Sequence, residues 1–234
     1  MPATLSVANA TMAEIGGPSA LSRREAAAST CPRPLRLGPD GNVYVTCNNG
    51  AVRRYNGTTG AYLSTFVPQG SGGLSGTTVF GLAFGPDANL YVASPATSQV
   101  LEYAGGTGAF IRAFVAAGSG GLNTPSGVTF GPDGNLYVSS RNSHSVMRLP
   151  GSAGRLPRLA LAGNGAVRGD LHPALQRRLT QPLLSAFGPD GNFYVGGGQT
   201  IGVLRFDGST GAFNTFVPDI QAIGLAFDQE GGCT

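Results

Sequence analysis

An arginine and a histidine stand three positions apart in the segment RNSH, which covers residues 141–144. Arg141 can bind an anion through its guanidinium, and His144 can exchange a proton or polarise a carbonyl group. The pair stands out because the chain has only 2 histidines and only 12% charged residues. Two interpretations are open: a site for an anion or a carbonyl, or the commoner case of an exposed arginine beside an exposed histidine.

Amide and hydroxyl side chains supply the other candidate ligand contacts. They lie in short polar segments that follow strand-like runs, as Thr97 follows NLYVAS at residues 89–94. No nucleophile stands beside a base, and the GSGG segments lack the lysine of a phosphate-binding loop. We therefore expect no catalytic residue, no metal ligand and no cofactor. The predicted binding residues are Asn48, Asn49, Thr97, Arg141, Asn142, His144 and Gln199.

The cysteines and the charge narrow the class of protein. Cys31, Cys47 and Cys233 are too widely spaced for the paired cysteines of a structural zinc site. They allow one disulfide, but we favour three unpaired cysteines. A net charge of +3 is too small and scattered to indicate nucleic-acid binding. No apolar run reaches the roughly 18 residues of a membrane span, and no signal-peptide pattern opens the chain.

One nine-residue motif, which we call the repeated phrase, occurs four times in the chain. It reads FGPDGNLYV at residues 130–138, and the other copies begin at residues 37, 84 and 187. Their GPD triplets start at Gly38, Gly85, Gly131 and Gly188, which are 47, 46 and 57 residues apart. A degenerate fifth copy, AFDQEG, begins at Ala226. Repeats of about 40–50 residues are typical of propeller blades.

Each repeat contains four strand-like segments. In the second repeat they are GLAF at 81–84, NLYVAS at 89–94, QVLEYA at 99–104 and GAFIRAFV at 108–115. Each is rich in β-branched or aromatic residues and ends at glycine, proline or a small polar residue. Four antiparallel strands per unit predict an all-β protein, a β-propeller of about four blades plus a partial fifth. Such a chain either closes a small ring or remains an open arc.

The repeated phrase also predicts the turn between the first two strands of each blade. Pro132 fixes φ, Asp133 can accept hydrogen bonds from nearby backbone amides, and Gly134 can adopt a positive φ. In the second repeat Ala88 replaces that glycine. A left-handed alanine at this position costs about 1 kcal/mol.

The phrase GLAFGPDANLYVAS, followed by QVLEY, resembles NHL-repeat proteins and the related SMP-30/gluconolactonase-like and streptogramin-lyase-like propellers. The likeness covers residues 35–149 and 186–227, and it is more specific for architecture than for activity. It implies six-bladed relatives and, since many members are exported, weakly favours an extracytoplasmic location. Enzymatic members hold a divalent metal near the ring axis. The corresponding positions here are Leu35, Val79, Ser126, Leu184 and Ile223, none of which has an acidic, amide or imidazole side chain.

Two segments depart from the repeat. Residues 1–34 contain no aromatic residue, and the third unit lacks its fourth strand and continues as an irregular insertion at 150–182. The strand at 145–148 then has no outer partner unless the insertion supplies one. The insertion is either functional, with a short basic helix at 172–180, or a relic of a frameshift, which we favour. We therefore predict an irregular segment at 1–34 and a propeller domain at 35–234.

These patterns favour a non-catalytic NHL-like propeller that binds a protein or a glycan through its loop face. We define the loop face as the end of the blades that carries the loops after the second and fourth strands. The first alternative is a metal-dependent lactonase-like or lyase-like enzyme, and the second is a degenerate fragment of one. We expect no nucleic-acid partner and no membrane span.

Overall fold

The structure is a computed structural model, and it describes residues 35–75, 81–151, 181–197 and 202–217. Short strands dominate these ranges, with single 3-10 turns at Ser71–Gly73, Pro95–Thr97 and Ser119–Gly121. The strands are β1 Leu35–Leu37, β2 Val43–Thr46, β3 Val52–Tyr55, β4 Tyr62–Val67, β5 Leu82–Phe84, β6 Leu90–Ser94, β7 Gln99–Tyr103, β8 Phe110–Val115, β9 Pro125–Phe130, β10 Leu136–Ser140, β11 Ser145–Leu149, β12 Pro182–Phe187, β13 Phe193–Gly197, β14 Val203–Phe206 and β15 Phe213–Val217.

The strands form four antiparallel sheets, each built from consecutive strands. Blade 1 contains β1–β4, blade 2 contains β5–β8, blade 3 contains β9–β11 and blade 4 contains β12–β15. The predicted all-β propeller architecture is therefore confirmed. Blade 3 has three strands within the described residues, which agrees with the absence of the fourth-strand pattern from its repeat. The partial fifth copy lies outside the described residues.

An aspartate organises the turn face, the end of each blade at which the GPD turn lies. Asp133 accepts hydrogen bonds from the Asn135 backbone N–H at 3.0 Å, the Asn135 side-chain amide at 2.7 Å and the Tyr137 hydroxyl at 3.0 Å. Arg148, opposite Tyr137 on β11, adds an ion pair to Asp133 at 2.5 Å. The same aspartate–asparagine–tyrosine contacts recur around Asp40, Asp87 and Asp190. The repeated phrase thus encodes a complete turn with its own supporting contacts.

This network fixes the protonation states of its members. Burial, together with the hydrogen bond and charge of Asp133, raises the pKa of Tyr137 to about 12. Burial acts to raise the pKa of Asp133, but hydrogen bonds from Asn135 and Tyr137 and the Arg148 charge outweigh it and lower that pKa. At neutral pH the tyrosine therefore donates and the aspartate accepts.

The third strand of blade 2 carries a glutamate at the position where the third strand of blade 3 carries Arg148. Glu102, whose side chain is 4% exposed, occupies the place of Arg148 and accepts hydrogen bonds from Asn89 at 3.0 Å and Tyr91 at 3.3 Å. Its partner is Arg112 on β8, directly across the sheet, at 2.6 Å. In blade 2, a fourth-strand arginine therefore neutralises the third-strand charge, whereas the third-strand arginines Arg54 and Arg205 pair with the turn aspartates.

Glycine is required where the two turns of one blade meet. A Cβ added to Gly105 would lie 1.7 Å from the Ala88 carbonyl oxygen, a distance no side chain tolerates. Gly57, Gly151 and Gly208 show the same approach, at 1.9, 1.8 and 1.8 Å from the carbonyl oxygens of Gly41, Gly134 and Gly191. The hairpin between the third and fourth strands therefore rests directly on the backbone of the first turn.

Aromatic rings join neighbouring blades. Tyr91 on β6 lies 5.0 Å from Phe114 of its own blade and 5.0 Å from Phe130 of blade 3, both in edge-to-face geometry. Tyr44 makes the matching contacts with Phe66 at 4.9 Å and with Phe84 of blade 2 at 4.8 Å. Such pairs add about 0.5–1.5 kcal/mol beyond the burial of their surface. Tyr44 and Tyr91 therefore each stabilise both their own sheet and the next one.

One expectation from the sequence is wrong, and others fall outside the described residues. Cys47 is 1% exposed and forms a disulfide, so the interpretation of three unpaired cysteines does not hold. The pattern could not show it, because the cysteines are remote in sequence. The segment at 1–34 and most of the insertion at 150–182 lie outside the described residues. Helices in the described ranges are too short to cross a membrane.

Candidate binding site

Three of the predicted binding residues come together on the loop face of blade 3. Arg141, Asn142 and His144 lie in the β10–β11 loop, with the arginine half-buried and the other two exposed. Asn49 is exposed in the loop of blade 1, where its side chain accepts the Ala51 N–H at 3.1 Å. The remaining predicted residues are Asn48, which is half-buried, Thr97, which bonds to Ser94, and Gln199, which lies outside the described residues.

Arg141 and His144 both bind Gln181, the residue before the first strand of blade 4. The Arg141 Nε and Nη2 atoms donate to the Gln181 side-chain oxygen at 3.3 and 3.1 Å. The Gln181 backbone N–H donates to His144 Nδ1 at 3.1 Å. Because Nδ1 accepts a hydrogen bond here, this contact requires the imidazole to carry no proton on Nδ1. The glutamine thus fixes the orientation of both candidate ligand-binding side chains.

Asn142 is held by the residue before the first strand of its own blade. Its side-chain amide donates to Thr124 Oγ1 at 2.9 Å, and its backbone N–H donates to the Asn123 carbonyl oxygen at 3.2 Å. The Thr124 carbonyl oxygen also accepts the Arg141 backbone N–H at 3.1 Å. The cluster therefore consists of Arg141, Asn142, His144, Thr124 and Gln181, and we call it the polar cluster.

Residues of this face adopt left-handed backbone conformations without being glycine. Ser98 has a φ of 52°, Thr124 55°, His144 53° and Gln181 52°. A β-branched residue such as Thr124 is a rare occupant of this region, and each such residue costs about 1–2 kcal/mol. Backbone strain of this kind tends to occur at functional sites. Four strained residues on one face distinguish it from the turn face, where glycines occupy nearly all the left-handed positions.

The strained residues link consecutive blades through a repeated contact, which we call the blade clasp. The Thr124 backbone N–H donates to Ser98 Oγ at 3.3 Å, as the Gln181 N–H donates to His144 Nδ1. Gly50, with a φ of 83°, occupies the equivalent position in blade 1 and has no side chain to bond. The polar cluster therefore has a structural role in joining blades 3 and 4, in addition to any role in binding.

The first strands of blades 3 and 4 lie so close together that Ser126, one of the positions expected near the ring axis, is buried. Ser126 is 0% exposed, and its hydroxyl donates to the Pro182 carbonyl oxygen at 2.7 Å. A Cβ on Gly127 would lie 2.7 Å from the Leu183 carbonyl oxygen, so β9 and β12 are in backbone contact. Ser126 therefore contributes to the seam between the blades. Val79 and Ile223 lie outside the described residues.

The chemistry available on the loop face is that of hydrogen bonding and anion recognition. The polar cluster offers a guanidinium, an imidazole, two amides and a hydroxyl. In the described part of the chain, no three acidic, histidine or cysteine side chains group closely enough to hold a metal ion. Sequence reasoning missed Thr124 and Gln181. Their one shared signal is the proline that follows each of them, Pro125 and Pro182.

Comparison with known proteins shows the fold class. No family model matches the chain, and no curated protein matches its sequence. Among solved structures, it is similar to a catalytically inactive virginiamycin B lyase from Staphylococcus aureus with quinupristin. The TM-score is 0.59 at 15% identity, over 88% of this chain and 62% of that one. The two chains therefore share a β-propeller fold.

Two further structures carry the same fold with other descriptions. Kuenenia stuttgartiensis hydrazine synthase has a TM-score of 0.57 at 15% identity, over 87% of this chain and 55% of that one. A protein of unknown function from Bacteroides caccae has a TM-score of 0.55 at 15% identity, over 87% of this chain and 69% of that one. The chain thus spans less than two thirds of the lyase and the synthase. At these identities the likeness concerns architecture.

Proposed function

We propose that this chain is a non-catalytic propeller scaffold that binds a protein or a glycan through its loop face. The observation that carries the proposal is the polar cluster, in which Arg141, Asn142 and His144 are oriented by Thr124 and Gln181. Amide, hydroxyl and guanidinium groups are suited to a polar ligand surface, because they form many directional hydrogen bonds. The strain at Thr124 fits a site shaped for recognition.

We also propose that this chain is an NHL-like propeller. It is supported by the aspartate–asparagine–tyrosine turns of all four blades, which the repeated phrase encodes. An extracytoplasmic location is supported by the disulfide at Cys47, because disulfides persist mainly in oxidising compartments.

The alternative is a lactonase-like or lyase-like enzyme. The likeness in fold to a virginiamycin B lyase favours it. Such an enzyme, if metal-dependent as the resemblance implies, would bind Mg²⁺, Ca²⁺ or Mn²⁺ stoichiometrically and lose turnover on chelation. Calorimetric titration with each metal, paired with lactone hydrolysis before and after chelation, separates the two functions. Metal-dependent turnover would refute the scaffold proposal.

The direct experiment screens the purified chain on glycan and peptide arrays and measures the affinity of the best ligand by calorimetry. Arg141→Ala should weaken binding at least about tenfold, because a hydrogen bond to a charged group contributes about 1.5–3 kcal/mol. Arg205→Ala is the matched control, since that arginine forms an ion pair at 2.8 Å with Asp190 on the turn face. Equal loss in both variants, or no loss in Arg141→Ala, would contradict the proposal.

A further inference from the structure

The outer strand of blade 3 has an unpaired edge within the described residues. β11 pairs with β10 along its whole length, and no described strand pairs with its other side. An exposed strand edge presents backbone N–H and C=O groups that can pair with another chain. Peptide recognition by strand addition uses such an edge for affinity and side-chain pockets for specificity.

Blade 1 shows what normally covers this edge. On β4, Phe66 is 5% exposed and lies 4.9 Å from Tyr44. A Cβ on Gly108 would lie 1.9 Å from the Phe66 carbonyl oxygen, so the hairpin of blade 2 closes over it. In blade 2, Phe114 packs on Tyr91 in the same way at 5.0 Å. A fourth-strand phenylalanine is therefore the standard neighbour of the repeat tyrosine.

Blade 3 has a cavity where that phenylalanine would lie. The cavity measures about 70 Å³. Its lining includes Tyr137, Val146 and Arg148 of blade 3, together with Phe206 and the 207–211 turn of blade 4. By repeat register these correspond to the residues around Phe66. Tyr137 is 8% exposed, whereas Tyr44 and Tyr91 are 1% exposed, which agrees with the absence of a fourth-strand phenylalanine from the described part of blade 3.

Blade 4 fills only part of the gap. Phe193 stands where blade 2 has Leu90, and its ring lies 5.0 Å from Tyr137. This larger side chain packs on the tyrosine ring and lines the cavity, which remains beside Arg148 and the 207–211 turn. The space and its aromatic lining suit one further apolar side chain entering from the strand edge.

We propose that the edge of β11 left unpaired within the described residues accepts an extended segment of a partner polypeptide as the fourth strand of blade 3, with an aromatic side chain in this cavity. The register follows from blade 2, in which Val100 pairs with Val115 and Phe114 precedes that valine. The partner therefore carries an aromatic residue followed by a β-branched residue, the latter opposite Val146. Opposite Arg148 it carries an acidic or hydroxyl residue, as Ser64 lies opposite Arg54 in blade 1.

The chemistry of this chain favours a different polypeptide as the donor. Residues 152–180 contain no Phe, Tyr or Trp, so that part of the chain cannot supply the aromatic side chain. The other aromatic residues outside the described ranges, Phe80 and Phe227, are followed by glycine and aspartate, not by the β-branched residue that the register requires. A second copy is also disfavoured, because its described aromatic fourth strands, β4, β8 and β15, already pair within their own sheets. The site lies on the outer edge of the blade, so the proposal does not depend on the polar cluster.

The test uses a fluorescein-labelled synthetic peptide with the sequence of residues 108–115, carrying Arg112→Glu to complement Arg148. Fluorescence anisotropy should show saturable binding to the intact chain. A second peptide that also carries Phe114→Ala should bind at least about tenfold more weakly, because it loses the burial of an aromatic ring. The peptide that retains Arg112 should bind more weakly than the glutamate peptide. Both controls change only the peptide and leave the fold of the chain untouched.

Hydrogen exchange locates the bound peptide. Binding should slow the exchange of amides in β11, while those of β7, whose outer edge already pairs with β8, should not change. Absence of saturable binding, or equal affinity of the alanine peptide, would overturn the proposal. It would also be overturned if β11 were as protected as β7 before the peptide is added, because the edge would then be covered by the chain itself or by a second copy.

Discussion

Ala88 adopts a backbone conformation that the other blades reserve for glycine. Its φ is 62°, against 74°, 72° and 74° for Gly41, Gly134 and Gly191 at the same turn position. An alanine in this region brings its Cβ close to the following carbonyl oxygen, which costs about 1–2 kcal/mol. The chain thus contains one strained copy of a turn that appears unstrained three times.

The expected gain from Ala88→Gly follows from two opposing contributions. Relief of strain stabilises the folded state by about 1–2 kcal/mol, and the greater freedom of glycine stabilises the unfolded state by about 0.4–1 kcal/mol. The net increase in the free energy of unfolding is about 1 kcal/mol, or about 2–4 °C in Tm for a chain of this size. Gly134→Ala should show the reverse change, because its added Cβ would meet no atom within 4 Å.

Urea unfolding followed by circular dichroism, with thermal scans, measures these changes. The double variant Ala88→Gly/Gly134→Ala should return close to the parent stability, since the two turns lie in separate blades and their effects should add. Gly105→Ala is the steric control and should destabilise far more, because of its 1.7 Å approach to the Ala88 carbonyl oxygen. If Ala88→Gly left the stability unchanged or lowered it, the reasoning about this turn would be refuted.

Three other predictions follow from the described contacts. Burial acts to raise the pKa of Asp190, but hydrogen bonds from Asn192 and its neighbours and the Arg205 charge lower it to about 2. The stability from this carboxylate is therefore present above about pH 4 and is lost as the pH falls toward 2. Urea midpoints between pH 5 and 2 should fall more steeply in the parent than in Asp190→Asn, and parallel curves would contradict this. His144→Ala loses the blade clasp but keeps the left-handed strain, so it should destabilise by about 1 kcal/mol in urea unfolding. His144→Gly loses both the clasp and the strain, so its free energy of unfolding should fall by less than that of His144→Ala. A larger fall for His144→Gly would contradict the clasp. Peptide mapping by mass spectrometry should find Cys47 cross-linked without reductant and released with it, and a free thiol at Cys47 in both samples would be incompatible with the disulfide.

Much of the fold could be predicted because the repeat encodes it locally. In the turn at Asp133, the aspartate, the glycine and the tyrosine are within five residues of one another, and their contacts form inside one hairpin. The register of the repeat also placed Ala88 at the position where the other copies have a glycine that can adopt a positive φ, and Ala88 has a φ of 62°. Strand positions in blade 2 also follow from the local pattern, because turn residues bound each segment.

The candidate site was only partly predictable, because its supporting contacts join residues distant in sequence. Arg141 and His144 could be named from residue type, but their partner Gln181 lies beyond the insertion. Thr124 adopts a left-handed conformation that β-branched side chains disfavour, so the local sequence did not indicate that Thr124 belongs to the site. The disulfide of Cys47 is likewise a long-range contact that spacing does not reveal.

The close approach of the two turns within each blade bears on how such a chain can diverge. Four glycines, one per blade, rest on a carbonyl oxygen of the preceding turn at distances that admit no other amino acid. Substitution at Gly57, Gly105, Gly151 or Gly208 would therefore disrupt the local fold, whereas the loops after the second strands contain several side chains that lie in the open, such as Asn49 and Asn142. Because each blade brings both turns and their hydrogen bonds with it, a duplicated copy of the gene segment already contains what its own sheet needs. We therefore expect substitutions made after such a duplication to be tolerated more readily in the loops of the loop face than at these four glycines.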